Sequence, residues 1–253
     1  MSISIVQTAK NQSAYQVQPL SVTLKAATTA LSYLAVVVEA QKSGYPFASG
    51  SIVSNTPSPT VTDDKGTVYT LVDKIVSIAQ DPGQVTSPPT TPGQPDAAGY
   101  FQSAYIYVSS TAVTAGAQNV YVSAFYPDEV LSPPVNGRPV FDGGLHAQVF
   151  EVAGLSTGVD QHSNGVVYAP TNPNLGPNLI TTTGAALIIE VGVLLDSAAL
   201  VSNTNSVQQH ASILYGGSSH FVVQTRLVGS ATASTGFGNA LLYSGGVVAV
   251  SLK

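Results

Sequence analysis

Residues 59–71, PTVTDDKGTVYTL, decide the fold class of this chain. Apolar and polar residues alternate on both sides of the sequence DDKG, which is the pattern of two strands joined by a tight turn. Gly66 supplies the positive φ that such a turn requires, and aspartate side chains accept hydrogen bonds from turn N–H groups. The sequence therefore predicts a β-hairpin in which Val61 and Val68 flank a turn over residues 64–66.

The turn also gathers Asp63, Asp64 and Lys65, although only 8% of the chain is charged. Two interpretations of this cluster are turn chemistry and a calcium site. A calcium ion takes 6–8 oxygen ligands, and the sequence shows no loop that supplies them at fixed spacing. The sequence favours turn chemistry, with no bound metal.

Similar patterns recur along the whole chain, and helical periodicity is nearly absent. Short β-branched or aromatic runs are bounded by Gly, Pro, Asn and Asp, which is typical of strands. These runs predict an all-β fold, an antiparallel β-sandwich. The predicted strands cover residues 3–7, 15–24, 32–41, 59–62, 67–79, 100–109, 119–126, 145–154, 186–195, 211–215, 220–228 and 241–252.

Three stretches interrupt the strands. Residues 81–99 and 127–144 are rich in Pro and Gly, and residues 156–178 are also irregular in composition. Proline cannot donate to a strand ladder, so we expect loop excursions there. Strands of the same kind continue on either side. We therefore predict one sandwich domain over residues 19–253, preceded by an N-terminal arm or edge strand over residues 1–18.

Composition excludes several classes of function. The net charge of -5 and the eight scattered Lys and Arg residues leave no basic stripe for nucleic acid. There is no cysteine, so disulfides and thiolate metal sites are absent. The N-terminus lacks the features of a secretory signal, and no apolar run reaches the roughly 18 residues of a membrane span. We expect synthesis in a host cytoplasm and no membrane partner.

Several segments together resemble a jelly-roll-like β-sandwich domain of uncharacterised bacterial surface proteins and phage structural proteins. They include LAVVVEAQKSG, PTVTDDKGTVYTL, QVFEVAGLSTGVDQ and GFGNALLYSGGVVAVSL. The family pattern P-x-V-T-D-x-x-G-x-x-Y is matched by Pro59, Val61, Thr62, Asp63, Gly66 and Tyr69, and the pattern E-x-x-G-L by Glu151, Gly154 and Leu155. The resemblance covers the chain from about Leu31 onward, and it implies a jelly-roll-like fold and a structural setting, not a reaction.

Three carboxylates interrupt apolar strands: Glu39, Glu151 and Glu190. A pair of carboxylates about 5–9.5 Å apart is the catalytic arrangement of glycosidases. Alternation places Glu39 with Ala35 and Val37, on what we take as the more polar face of its strand. We therefore favour a solvated outer face for these residues, or, for Glu151, hydrogen bonds to turn N–H groups near Gly154.

Histidines and aromatic residues offer two further candidates. His210 and His220 are placed to face each other across a hairpin, which would begin a metal site, but neither His146 nor His162 has metal-ligand spacing and no third ligand is evident. If strands 100–109 and 119–126 pair, an aromatic cluster forms that packs in the core or stacks sugars. Its members are Phe101, Tyr105, Tyr107, Tyr121 and Phe125. We predict no catalytic, cofactor-binding or metal-binding residue.

Scarce charge is typical of a chain whose surface is covered by neighbours, since charge is what keeps free proteins apart. With the resemblance, it predicts a virion structural protein of a phage, a head or tail building block or decoration that forms a homo-oligomer with itself and other virion proteins. The alternatives are a carbohydrate-binding or adhesive module that binds a cell-surface glycan, and a glycoside hydrolase. We expect the contacts between subunits to come from loops 88–95 and 133–139 and from the N-terminal arm. The strand-forming residues Ile3, Ile5 and Val6 of the arm would pair with an edge strand of a neighbouring subunit.

Overall fold

The computed structural model describes residues 2–13, 19–45, 58–80, 99–125, 142–168, 174–175, 179–180, 184–195, 206–214, 219–234, 237–238 and 244–253. These residues form strands and no helix. The strands are β1 (Ser4–Ser13), β2 (Leu20–Thr23), β3 (Tyr33–Tyr45), β4 (Ser58–Asp63), β5 (Tyr69–Gln80), β6 (Gly99–Ser109), β7 (Asn119–Phe125), β8 (Asp142–Ala153), β9 (Val159–Tyr168), β10 (Asn174–Leu175), β11 (Leu179–Ile180), β12 (Ala186–Leu195), β13 (Val207–Leu214), β14 (Ser219–Val228), β15 (Ala233–Ser234), β16 (Phe237–Gly238) and β17 (Ser244–Leu252).

The strands form three larger antiparallel sheets. The central sheet has the order β1-β8-β3-β6-β5, the second sheet β13-β14-β12-β17-β9, and the third sheet β2-β7-β4. Two short ladders, β10–β16 and β11–β15, complete the described strands. The predicted all-β antiparallel sandwich is confirmed. Its jelly-roll-like topology stays a prediction.

The central sheet is covered on both faces, so the chain stacks three layers. One face packs against the third sheet: Val36 and Val38 of β3 lie in one core with Val22 and Val122. The opposite face packs against the second sheet through a larger core. A strand buried on both faces carries a continuous apolar run rather than an alternating one. This explains the run LAVVV in β3.

The larger core lies between the two five-stranded sheets. It joins Val37 and Phe150 of the central sheet to Ile189 and Val223 of the second sheet. At its margin β5 lies close to β17, where a Cβ added to Gly246 would stand 2.2 Å from Cδ1 of Ile75. Glycine at this position therefore permits the two sheets to approach.

The hairpin predicted over residues 59–71 is wrong in its pairing. Strand β4 pairs with β7 in the third sheet, and β5 pairs with β6 in the central sheet. The intervening turn carries the chain from one layer to the next. Local alternation predicted both strands and the turn correctly, but it carries no information about which distant strand each one joins.

The sequence predicts an N-terminal arm or edge strand that pairs with a neighbouring subunit, and the structure corrects its partner. The N-terminal segment is an edge strand of its own central sheet, because β1 pairs antiparallel with β8 from Ser4 to Ser13. The excursion predicted over residues 156–178 contains the ten-residue strand β9, which pairs with β17. The Pro-rich loops predicted at 81–99 and 127–144 lie mostly outside the described residues, which resume at residues 99 and 142.

Candidate functional site

Asp63 is the last residue of β4, and its carboxylate accepts the hydrogen bonds that hold the turn between β4 and β5. Its Oδ1 accepts hydrogen bonds from the backbone N–H groups of Lys65 and Thr67, both at 2.9 Å. Its Oδ2 accepts from the phenol of Tyr69 at 2.9 Å and from the amide of Gln118. Burial acts to raise the pKa of Asp63, but these hydrogen bonds outweigh it and hold the pKa below its usual value. The carboxylate is thus occupied by the fold, as the turn interpretation predicts.

The other charges of the turn are also held by the fold. Asp64 accepts from the side-chain amide of Asn119 at 2.9 Å and from its backbone N–H at 3.2 Å. The ammonium of Lys65 donates to the carbonyl oxygen of Thr114 at 3.0 Å. These contacts tie the turn to the start of β7 and to the segment that precedes it. They use the groups that a calcium ion would need.

Gly66 tests the turn directly, because its φ is +71° and an added Cβ would have no atom within 4 Å. Any loss of stability in Gly66→Val therefore comes from backbone strain alone. We expect Gly66→Val to lower the free energy of unfolding by about 1–2 kcal/mol, measured by urea denaturation, since a β-branched residue resists positive φ. The control Gly66→Asn should cost less, because asparagine tolerates this conformation. Equal losses in both variants would contradict the strain argument.

Glu151 is fully buried on the face of the central sheet that packs under residues 26–32. Its Oε1 accepts from the backbone N–H of Thr29 at 2.7 Å, and from the hydroxyls of Thr29 and Ser32 at 2.8 Å each. Its Oε2 accepts from the amide of Gln7 on β1 at 2.6 Å. Burial acts to raise the pKa of Glu151, but the four donors outweigh it and hold that pKa below its usual value. One carboxylate thereby fixes a strand and a loop.

Glu39 and His146 lie on the opposite face of the same sheet. They are directly opposed residues of β3 and β8, and neither side chain is more than 1% exposed. The imidazole of His146 stands 4.9 Å, centroid to centroid, from the ring of Phe221 on β14. The predicted solvated face of Glu39 is therefore wrong, because that face looks into the larger core.

Glu190 occupies a third place, on β12, opposite Gln224 of β14. It accepts a hydrogen bond from the Gln224 amide and is 1% exposed. Alternation along β12 turns Glu190 away from the larger core, which takes Ile189 and Val191. The outer-face prediction for Glu190 is wrong in its solvation, since this face is buried as well.

The three carboxylates are therefore separated from one another and from solvent. Glu39 faces the larger core, Glu151 the space beneath residues 26–32, and Glu190 the far face of the second sheet. A glycosidase needs two carboxylates that flank the same sugar bond. These three residues supply neither the pairing nor the access.

A polar cluster that the sequence does not predict lies where the edges of the two five-stranded sheets meet, and its members are Asp73, His162 and Asn164. Asp73 of β5 accepts from the amide of Asn164 at 2.7 Å, and lies 2.9 Å from Nδ1 of His162. The side chain of His162 is 53% exposed and that of Asp73 is 11% exposed. The sequence predicts a loop over residues 156–178, where the structure has β9. It therefore does not predict that His162 and Asn164 lie beside Asp73. The contact links the edges of the two sheets.

The predicted histidine pair is not opposed across its hairpin. Strands β13 and β14 do pair, but the partner of His210 is Val223 and that of His220 is Ile213. A bulge between Gln208 and His210 shifts the register. Among the described residues no group of three or more His, Asp or Glu side chains is arranged to hold a metal ion.

The strand pairing that the aromatic cluster requires does not occur, because β6 and β7 belong to different sheets. Tyr105 and Tyr107 are 2% and 7% exposed and belong to the core beneath the third sheet. The phenol of Tyr107 donates to the carbonyl oxygen of Pro59 at 2.6 Å. Tyr121 is partly exposed, and the side chains of Phe101 and Phe125 lie outside the described part of the chain. These tyrosines therefore do not form a sugar-stacking platform.

The segment after β8 lies against Ser2 and is hydrogen-bonded to Lys253. A Cβ at Gly154, whose φ is +81°, would stand 2.4 Å from the carbonyl oxygen of Ser2. The backbone N–H groups of Ser156, Thr157 and Gly158 all donate to the oxygen of Lys253, at 3.0, 2.7 and 3.0 Å. The E-x-x-G-L motif therefore has a structural role, because Gly154 lies against Ser2 and the residues that follow the motif are hydrogen-bonded to Lys253.

Comparisons with family models, with curated proteins and with solved structures find no match to this chain. The resemblance described from the sequence therefore stays a prediction. The part of the chain that the structure describes has no helix of the length and hydrophobicity that a membrane span requires.

Proposed function

We propose that this chain is a structural building block or decoration of a phage virion, and that it acts by associating with copies of itself and with other virion proteins. The observation that carries the proposal is a surface with very little charge. The chain has 21 charged residues from 8 Lys and Arg and 13 Asp and Glu. Three of them, Glu39, Glu151 and Glu190, are buried.

The second sheet illustrates how little charge remains for solvent. Within its five strands the charged residues are Asp160, Glu190 and Arg226, and Glu190 is buried. Net charge and interspersed charges keep free proteins soluble and apart. The net charge of this chain is -5, but only 8% of its residues are charged, and so few charged side chains suit a protein whose surface is covered by neighbours. The resemblance to phage structural proteins, with its expected virion setting, agrees with this assignment.

The polar groups of the described residues support a structural role. The carboxylate oxygens of Asp63 and Glu151 accept hydrogen bonds from backbone and side-chain donors of the same chain. A catalytic carboxylate must instead contact its substrate. The carbohydrate-binding and hydrolase alternatives gain no support from the buried tyrosines and glutamates.

The experiment has two parts. Light scattering of the purified protein should give a mass of at least two chains at concentrations of tens of micromolar. Antibodies raised against the purified chain should decorate particles from the source in negative-stain electron microscopy. A protein that stays monomeric and is absent from particles would overturn the proposal.

A further inference from the structure

Leu31 is in a conformation that a leucine rarely adopts. Its φ is +68°, and it is the one non-glycine residue with positive φ among the described residues. Its side chain is also 74% exposed. The left-handed conformation is costly for residues other than Gly, Asn and Asp. Glycine at this position would relieve the strain and remove an exposed apolar group, so leucine gives the isolated fold no advantage.

The turn that carries Leu31 is firmly held in place. Thr29 and Ser32, on either side, are bound by the buried Glu151 carboxylate. The carbonyl oxygen of Ser32 accepts from the backbone N–H of Val113 at 2.7 Å, and Thr28 bonds both ways with Gly116. The fold thus maintains the strain with a rigid support. Strain that is retained in this way points to a role in contact.

Leu31 lies at one end of the sandwich, where other apolar side chains are exposed. Tyr33, two residues later, pairs with Val152 near the end of β8. Every large apolar side chain that is exposed among the described residues lies at this end, within three residues of a strand terminus. These side chains are Val6, Leu31, Val68, Leu71, Val159, Val207 and Leu227, between 37% and 74% exposed.

The exposed apolar side chains at this end supply part of the apolar area that a dimer interface requires. A valine or leucine side chain presents roughly 60–120 Å² of apolar surface, so at these exposures the seven side chains offer roughly 300 Å² together. A standard interface takes about 800 Å² from each partner, of which about 60% is apolar. The end therefore supplies more than half of the apolar area of such an interface.

The same end has a depression that fits an apolar side chain. Its volume is about 380 Å³, and it is lined by the apolar residues Ile3, Leu155 and Ala185 together with Gly154, Ser156 and Lys253. A dry cavity of about 150 Å³ already accepts a small apolar molecule. When one end of a molecule carries both a protrusion and a depression, two copies can pack across a two-fold axis. The protrusion of each copy then occupies the depression of the other.

We propose that two copies of this chain associate end to end, with Leu31 of each copy seated in the depression at Ile3, Leu155 and Ala185 of the other. The proposal rests on the proposed function, because it names the surface through which the building block joins its own kind. The turn from Ala26 to Ser32 carries no charged residue, so the docked segment itself brings no charge out of water, and Lys253 is the one charged side chain among the residues that line the depression.

Leu31→Gly is the first test, with the full chain in sedimentation velocity and thermal unfolding. We expect the dissociation constant of the dimer to rise at least tenfold. At dilutions where both proteins are monomeric, the melting temperature should rise by a few degrees, because the strain is relieved. The control Leu31→Met should retain association. Unchanged association of Leu31→Gly, or a lowered melting temperature of its monomer, would overturn the inference.

Cross-linking tests the seating, because the chain contains no cysteine. Leu31→Cys mixed with Ala185→Cys should form a disulfide-linked dimer of one chain of each kind. Thr60→Cys, exposed on the outer strand β4, should not cross-link with Ala185→Cys. Failure of the first pair while the wild type still dimerises would overturn the seating but leave the proposed function standing. If antibodies against the chain label particles but the purified wild-type protein stays monomeric, the end-to-end dimer is overturned and the proposed function still stands.

Discussion

Deletion of residues 1–12 should leave a chain that does not fold. Strand β1 pairs with β8 along its whole length, so the deletion strips one edge of the central sheet. It also removes Ile3 and Ile5, which pack against the larger core, and Ala9, which is buried in the other core. Finally, it removes Gln7, whose amide bonds both Glu151 and Ala26. Circular dichroism of the truncated protein should show loss of the cooperative thermal transition.

The matched control keeps the strand and changes its exposed surface. Val6 lies at the bulge of β1 and is 44% exposed, so Val6→Ser should change the free energy of unfolding by less than about 0.5 kcal/mol. If the N-terminal strand paired instead with a neighbouring subunit, as the sequence predicts, the truncated protein would fold but fail to assemble. A truncated protein with a native transition would restore that interpretation.

Strand positions in this chain were predictable because they depend on local composition. The segment 186–195 was predicted with the bounds that β12 has in the structure. Strand β9 was missed, because VDQHSNGVVY mixes Asn, Gly and Ser into a strand at the edge of its sheet. Edge strands bury less surface and therefore need fewer apolar residues. Their sequences resemble loops.

The placement of the carboxylates was not predictable from the sequence, for a related reason. An isolated Glu in an apolar strand suggests an outer face only if the sheet has a face exposed to water. In the central sheet both faces are covered, one by the core of Val36 and one by the core of Val37. Layer number depends on long-range packing, and alternation in one strand does not report it. Most hydrogen bonds of Asp63, in contrast, come from Lys65, Thr67 and Tyr69, which lie within six residues of it, and its role in the turn was predicted correctly.

Substitution of Glu151 by alanine should be the most damaging single change to a polar side chain in the described part of the chain. The alanine removes the acceptor of four hydrogen bonds, and it leaves the buried backbone N–H of Thr29 without its carboxylate partner. Leaving buried partners unpaired in this way costs about 3–5 kcal/mol. Urea denaturation should show this loss. Asp64→Asn is the matched control, because Asp64 is exposed, and it should cost less than about 1 kcal/mol.

Glu151→Gln separates the charge from the shape of the side chain. The folded protein holds the pKa of Glu151 below its usual value of 4.5. The charged form therefore contributes stability that is complete above pH 4.5 and is lost as the pH falls from there through the lower pKa of the folded state. The difference in unfolding free energy between wild type and Glu151→Gln should therefore be largest near pH 7 and shrink below pH 4.5. Asp63, whose pKa is also lowered, titrates in both proteins and cancels from the difference. A difference that stays constant from pH 7 to pH 3 would show that Glu151 acts through its shape alone, and that the charge which ties β1 to residues 26–32 contributes nothing.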